Sequence, residues 1–357
     1  MAIALFDTPG FFQRQRRLPF WDSARYRAVQ GALALSAGPL LSLWHRSLDR
    51  AYGRPPEGAP QAVQRHFREL LAEDIRHVGE GIYPREVLFD PPLPEALRTW
   101  PEALADAPRI WARMRKKRFD DLPATAAPEA FPDYYRRNFH FQTDGWLSER
   151  SARMYDAQVG FLFFGTLPLM RRMGLPPLVR ELRDRRGARL LDVGCGTGRF
   201  LRQLHYALPQ AKLYGLDLSP YYLQAAERNL AAIPGVSLLA ENAEEIPMQA
   251  GSVAAAVSTF LFHELPHDVR RRVIREVHRV LAPGGVFVLV DSLQKDGPTG
   301  QELAYYLDWF PRIYHEPYYK SWLADEAGAL LRECGFALEE KRDHLFACVA
   351  VGRKTPG

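Results

Sequence analysis

Leu190-Leu191-Asp192-Val193-Gly194-Cys195-Gly196-Thr197-Gly198-Arg199-Phe200 reads as a buried strand that runs into a glycine-rich turn and then a helix. Glycines at alternate positions let the backbone turn tightly and approach a ligand without interference from a Cβ. The helix that follows points its unpaired N–H groups and its positive dipole end at whatever is bound there. Asp217 lies 19 residues beyond Gly198, where an acidic residue closing the next strand is placed to accept hydrogen bonds from ribose hydroxyls. These parts describe a site for a ligand carrying a ribose and an anionic group.

The rival ligand is a dinucleotide, whose fingerprint is G-x-G-x-x-G. The position of its third glycine is Arg199 here, and the pattern is G-x-G-x-G instead. In this form the stretch resembles the first motif of the class I S-adenosylmethionine-dependent methyltransferases, hydrophobic-hydrophobic-D-x-G-x-G-x-G, filled without a gap by Leu190 to Gly198. The resemblance extends over roughly residues 150–352 and implies S-adenosylmethionine as cofactor.

The rest of the catalytic half agrees. Residues 211–216 form a short apolar run ending at Asp217, and Leu218-Ser219-Pro220 opens a helix with a capping serine and a proline at its first position. The run 236–240 is followed by Asn242-Ala243-Glu244; the resemblance implies an amide or acidic residue and a small apolar one beside the adenine here. Residues 253–258 are continuously small and apolar, as in a strand buried on both faces. A helix over 268–281, with Val269, Val273, Val277 and Val280 on one side, leads through Pro283-Gly284-Gly285 into the strand 286–290 and Asp291. After a helix over 322–334, two strands, 336–342 and 345–351, are joined by a turn at Asp343-His344. So short a connection makes them antiparallel, since a parallel crossover needs a dozen residues or more. The expected fold is therefore α/β: a Rossmann-like seven-stranded methyltransferase sheet with an antiparallel last strand, plus a mainly helical N-terminal extension.

Length and composition bound the remainder. At 357 residues the chain exceeds the roughly 200 of the catalytic fold. The expected division is an N-terminal extension over 1–130, a helical lid or linker over 131–177 and the cofactor-binding domain over 178–357, with an aromatic cap at 292–321. Three cysteines, at 195, 334 and 348, give neither zinc spacing nor a disulfide framework, and the low count suits the cytoplasm. The N-terminus lacks the pattern of a secretory signal. The net charge of +5 is spread through the chain and no nucleic-acid recognition motif occurs, so no nucleic-acid partner is expected. The first fifty residues hold seven arginines against three aspartates, interleaved with aromatics, and residues 28–44 carry no charge. Two readings stay open: a buried helix with solvated arginines, or peripheral membrane contact through residues 1–45. Arg113, Arg115, Lys116, Lys117 and Arg118 read as a solvated helix end.

The resemblance places a helix upstream of the first motif as a lid over the cofactor. In the helical stretch 147–173 its aromatic candidate is Tyr155, with core packing as the alternative. The expected cofactor-contacting set is Tyr155, Asp192, Gly194, Cys195, Gly196, Gly198, Asp217, Leu218, Asn242, Ala243 and Thr259; Cys195 also reads as simple packing within the turn. Open α/β sheets bind ligands at the carboxyl ends of their strands, which puts the acceptor beside 259–266 and the long insertion 292–321. The insertion carries Tyr305, Tyr306, Trp309, Phe310, Tyr314, Tyr318 and Tyr319, too many aromatics for a disordered loop. The acceptor-contacting candidates are Phe260, His263, Tyr305, Trp309 and Tyr314.

The sulfonium methyl needs no activation, so the protein must align the nucleophile, exclude water and, for a hydroxyl, phenol or acidic carbon, remove a proton. His263 and Glu264 are the catalytic candidates, with Asp291 and His315 as further ones; His263 alternatively caps the following helix. No metal site is expected, and the Asn/Asp-Pro-Pro-Tyr motif of amino-group methylation is missing. The expected activity is methyl transfer to a small hydrophobic or aromatic molecule, with a lipid or quinone methyltransferase at the membrane surface, or a cofactor-binding module without turnover, as alternatives.

Overall fold

The computed structural model describes residues 20–36, 55–90, 95, 97–124, 130–163 and 165–355. Its N-terminal part comprises α1 (Phe20–Ser36), α2 (Ala59–Gly79), a 3-10 turn (Arg85–Phe89) and α3 (Trp100–Lys116). A loop carrying a second 3-10 turn (Phe139–Phe141) leads to α4 (Glu149–Leu162), α5 (Leu167–Arg172) and α6 (Leu175–Leu182). The alternating portion then runs β1 (Arg189–Val193), α7 (Arg199–Ala207), β2 (Lys212–Asp217), α8 (Pro220–Leu230), β3 (Val236–Ala240) and β4 (Val253–Thr259). A 3-10 turn (Phe262–Glu264), α9 (His267–Val280) and β5 (Leu281–Ser292) follow. The chain closes through α10 (Pro298–Glu302), α11 (Ala304–Ile313), α12 (Tyr319–Ala324), α13 (Ala327–Glu333), β6 (Phe336–His344) and β7 (Ala347–Lys354).

The strands form one sheet in the order β3-β2-β1-β4-β5-β7-β6. β1 to β5 pair in parallel, and β7 inserts antiparallel between β5 and β6. This is the topology expected from the sequence, with one shift. The final hairpin turns at Leu345-Phe346, because Asp343 and His344 still pair with Cys348 and Ala347. Leu345 turns inward and is buried.

Successive β1 side chains face opposite layers, as a period of two requires. Leu190 joins a core with Val257 and Val288 beneath α5, α6 and α7, while Leu191 joins one with Phe287 and the four valines of α9. The N-terminal helices belong to the first of these cores, through Leu70, Val78, Tyr83 and Val87. A buried polar knot reinforces that contact. The Arg172 guanidinium donates to Asp74 at 2.5 and 3.0 Å, and the Tyr83 hydroxyl donates to the same carboxylate at 2.5 Å. Tyr26 on α1 bonds the carboxylate as well.

Two continuous helices expected from periodicity are each broken. The stretch 147–173 breaks before α5 at Gly165, which takes φ 74°. The stretch 322–334 breaks at Asp325-Glu326, where Asp325 is drawn to Arg270 at 2.7 Å and the Ala327 amide donates to Gln294 Oε1. Much of the segment expected to touch a membrane, 1–19 and 37–45, lies outside the described residues. Among the described residues no helix is long and apolar enough to cross a membrane.

Candidate active site

Beyond β1 the chain turns through Gly194, Gly196 and Gly198, all at positive φ, a region nearly closed to residues with a Cβ. The Gly194 and Cys195 amides donate to Leu216 O at 2.8 and 3.0 Å, fastening the turn to β2. Asp217 completes the clamp: one carboxylate oxygen accepts from the Gly196 amide at 2.8 Å and the other from the Ser219 amide at 2.9 Å. A Cβ on Gly196 would meet no atom within 4 Å, since the turn opens there into a cavity. A Cβ on Gly198 would instead come within 2.9 Å of Leu230, so this glycine serves the packing of α7 on α8.

The cavity is lined by Tyr155, Gly194, Cys195, Gly196, Asp217, Leu218, Asn242, Ala243 and Thr259 from the expected cofactor set. Gly198 and Asp192 lie behind it. Asp192 is fully buried with no hydrogen-bond partner for either oxygen, and burial pushes its carboxyl up to about 7. Burial also raises the Cys195 thiol well above its ordinary range and keeps it neutral, which suits packing. Asn242 donates to Glu244 and so presents its amide at the rim.

An aromatic wall closes the other side. Tyr155 meets Trp146 and Tyr222 edge-on, each at 5.4 Å between ring centroids, and Tyr134 and Tyr135 complete the lining. At about 100 Å³ the cavity is smaller than the roughly 300–1,000 Å³ usual for ligand pockets, so this wall is drawn down over the turn. Tyr134, Tyr135 and Trp146 are not among the candidates read from the sequence. The aromatic texture of 131–146 was their only signal.

Where β4 ends, the backbone bends sharply. Phe260 takes φ 56°, and the Phe262 amide donates to Asp291 Oδ2 at 2.7 Å. The bend sets up a series of alternating carboxylates and imidazoles. Asp291 Oδ1 lies 2.7 Å from His263 Nδ1, and His263 Nε2 lies 3.9 Å from Glu264 Oε1. Glu264 Oε1 lies 3.6 Å from His140 Nε2, and His140 Nδ1 lies 2.7 Å from Glu316 Oε1. Burial opposes charge on His263, but the Asp291 carboxylate overrides it and holds the imidazole up to about 9. Burial raises the Glu264 carboxyl well above its ordinary range, with the His263 imidazolium acting against it. Glu264 lines the glycine-turn cavity, whereas His263 sits behind it. His140 and Phe141 also take positive φ, at 52° and 58°, so three strained non-glycine residues gather around this site.

The cap packs over the series. Phe310 contacts Tyr319 and His140 at 5.3 and 6.1 Å between centroids, and Tyr319 meets His263 edge-on while its hydroxyl pairs with Ser292. Of the acceptor candidates, Phe260 lines the cavity and Tyr314 packs 6.4 Å from His140. Tyr305 stacks edge-on against Tyr306, and neither Tyr305, Trp309 nor Tyr314 lines the cavity. His315 lies flat on Phe119 at 4.3 Å, and burial lowers its imidazole to about 4. Phe310, Tyr319, His140 and Glu316 take the places at the acid–base series that the sequence candidates leave open.

Among the described residues no cluster of His, Cys, Asp and Glu is placed to hold a metal ion. The methyltransferase domain family matches residues 190–285. The chain is 33% identical to a ubiquinone/menaquinone biosynthesis C-methyltransferase of Syntrophotalea carbinolica over 47% of this chain and 69% of that protein. It is 28% identical to the demethylmenaquinone methyltransferase of Geobacillus kaustophilus, over 49% of this chain and 81% of that one. A solved structure titled as a putative S-adenosyl-L-methionine-dependent methyltransferase of Methanococcus maripaludis aligns at 17% identity and a TM-score of 0.44, covering 59% of this chain and 94% of that chain.

The chain belongs to the class I S-adenosylmethionine-dependent methyltransferases. S-adenosylmethionine is its cofactor, and the residues of the site fit it. The open side of Gly196 leaves room for the ligand, Asp217 is oriented by two amides with lone pairs to spare, and the orphaned Asp192 carboxylate complements a cationic group.

Proposed function

We propose that the chain methylates a small hydrophobic or aromatic acceptor whose reacting oxygen or carbon must lose a proton, with Glu264 as the base. The series Asp291–His263–Glu264–His140–Glu316 beside the glycine-turn cavity carries this reading. When bound, the cofactor supplies a methyl group already activated on a sulfonium. Asp217 and the glycine turn hold the ribose end, while Asp192, with the Arg171 guanidinium nearby, balances the charges of the methionine end. Phe260 and the aromatic wall exclude water from the transfer.

Glu264 then takes the acceptor proton at a carboxylate oxygen. A carboxyl raised by burial binds a proton more strongly than an exposed one. His263 does not compete for the proton at neutral pH, because Asp291 keeps it an imidazolium. Its part is to hold Glu264 in place and ready. Curated relatives named as quinone methyltransferases fit an acceptor whose ring carbon becomes nucleophilic when a neighbouring hydroxyl loses its proton.

The test uses purified protein, methyl-labelled S-adenosylmethionine and a panel of phenols, hydroquinones, peptides and nucleic acid. Label is expected in the phenol and hydroquinone fractions. Glu264→Gln should lower turnover by about 10²–10⁴-fold with cofactor affinity unchanged. Label confined to peptide or nucleic acid would overturn the reading.

A further inference from the structure

The glycine-turn cavity is not the larger one. A second cavity of about 1060 Å³ lies between the N-terminal helices and the outer faces of α4, α7 and α8. Helix α4 is the partition. Tyr155 faces the glycine turn, while its neighbours Arg153, Asp156 and Val159 face the second space. The partition is braced by Arg199, whose Nε donates to Asp156 at 2.8 Å and which also pairs with Glu95. Thr197 of the glycine turn donates to the same Asp156 at 3.1 Å.

Charge within this cavity is unbalanced. Among the described residues eight arginines line it against four acidic residues, Asp90, Glu95, Glu102 and Asp156. Four of the arginines are neutralised: Arg153 by Glu102, Arg172 by Asp74, Arg199 by Asp156 and Arg202 by Asp90. Arg25, Arg98 and Arg228, exposed at its mouth, form no ion pair among the described residues, while Arg171 lines both cavities and acts on Asp192. Arg171 is half-buried, and its Nε has no hydrogen-bond partner. Guanidinium groups without carboxylate partners at the mouth of a cavity offer an anion charge-assisted hydrogen bonds. Beside the polar Gln30, Thr99, Gln203 and Asn229, the wall has an apolar part built from Val29, Leu88, Phe89, Val159, Leu167 and Pro168.

We propose that this cavity is a second ligand site for an amphiphilic anion, its phosphate or carboxylate head meeting the unpaired guanidinium groups and its apolar body lying against the aliphatic wall. The Asp156–Arg199 pair stands between the two cavities, with Arg171 and Arg199 lining both. The chemistry is shared by a soluble phosphate ester and a lipid with an anionic headgroup. Nothing in the proposal depends on the identity of the methyl acceptor, so it survives a failure of the labelling experiment above.

The test is titration calorimetry on the full chain with octyl phosphate, octanol and inorganic phosphate. Octyl phosphate should bind about tenfold or more tightly than either half alone, since only it uses both walls. Arg228→Glu and Arg98→Glu should each weaken it about tenfold, with Arg228→Lys retaining most of the affinity, a rescue that loss of folding would not permit. Saturating S-adenosylhomocysteine should change the affinity less than about threefold, as two separate sites require. Phosphatidic-acid vesicles that displace octyl phosphate would support the site with a lipid source, and vesicles that leave it bound would support it with a soluble one. Equal binding of octanol and octyl phosphate, indifference to both charge reversals, complete competition by S-adenosylhomocysteine, or no binding of octyl phosphate at all would overturn the proposal.

Discussion

Asp192 shows what a single residue contributes to this site. Its carboxyl is lifted to about 7 by burial, with Arg171 pulling it down and Asp217 pushing it up. Below that value it is protonated and neutral; above it, its charge behind the cavity favours a cationic ligand there. Affinity for S-adenosylmethionine should therefore rise between pH 5.5 and 7.5 as Asp192 ionises, and Asp192→Asn should flatten the rise. Calorimetry across that interval checks it, and an unchanged slope in the variant would assign the effect elsewhere. Asp217 acts differently, because it orients the turn and, on the proposed reading, also meets the ligand. Asp217→Ala should weaken cofactor binding by about 1.5–3 kcal/mol, the scale of hydrogen bonds to a charged group, as read by equilibrium dialysis. Both residues were legible in the sequence because their roles are local: each is fixed by its distance from the glycines. His140 and Glu316 were not legible. His140 reaches Glu264 from a strained 3-10 turn and Glu316 reaches His140 from the cap, and only packing brings them together.

At the scale of elements, the strands were the readable part. Apolar runs bounded by glycine, proline and acidic residues placed β1 to β5, and the short final connection fixed β6 and β7 as antiparallel. Helix ends were less readable, because Asp325 leaves the helix for a partner far away in the chain, Arg270. The cap illustrates the same limit. Its aromatic density marked the element that packs over the acid–base series, but which faces of α11 and α12 turn inward is set by their packing on the two 3-10 turns that carry His140 and His263. That packing selects Phe310 and Tyr319. Phe310→Ala is thus expected to lower kcat/KM for the acceptor by about 2–3 kcal/mol of transition-state stabilisation, within the cost of truncating a packed aromatic. Cofactor affinity should stay nearly constant. Initial-rate kinetics beside cofactor titration separate the two, and a loss confined to the cofactor would make the cap part of the cofactor lid.

Over the whole molecule, the N-terminal helices and the sheet share a core and a buried ion pair. Composition signalled an additional unit but not where its apolar faces go, since neither partner face is unusual alone. Asp74→Ala would leave the buried Arg172 guanidinium without its carboxylate and should cost about 3–5 kcal/mol. Urea unfolding followed by tryptophan fluorescence and by far-ultraviolet dichroism should show one coincident transition at lower urea. Two separated transitions would mean that the shared core does not couple the parts.

Helix α5 spends its apolar side chains on a neighbour from the other end of the chain. Leu169 and Met170 are fully buried in that shared core, and Arg172 beside them is neutral in effect only through Asp74. A piece comprising residues 165–357 retains the complete sheet and every glycine of the turn, yet it would carry this patch to the surface with an unmatched cation at its edge. Exposed contiguous apolar surface drives self-association. Light scattering should find such a piece associated where the full chain is not, and the remedy would be polar substitutions on α5 rather than any change near the cofactor. Catalytic competence is drawn on the sheet, but colloidal behaviour is decided by a helix outside it.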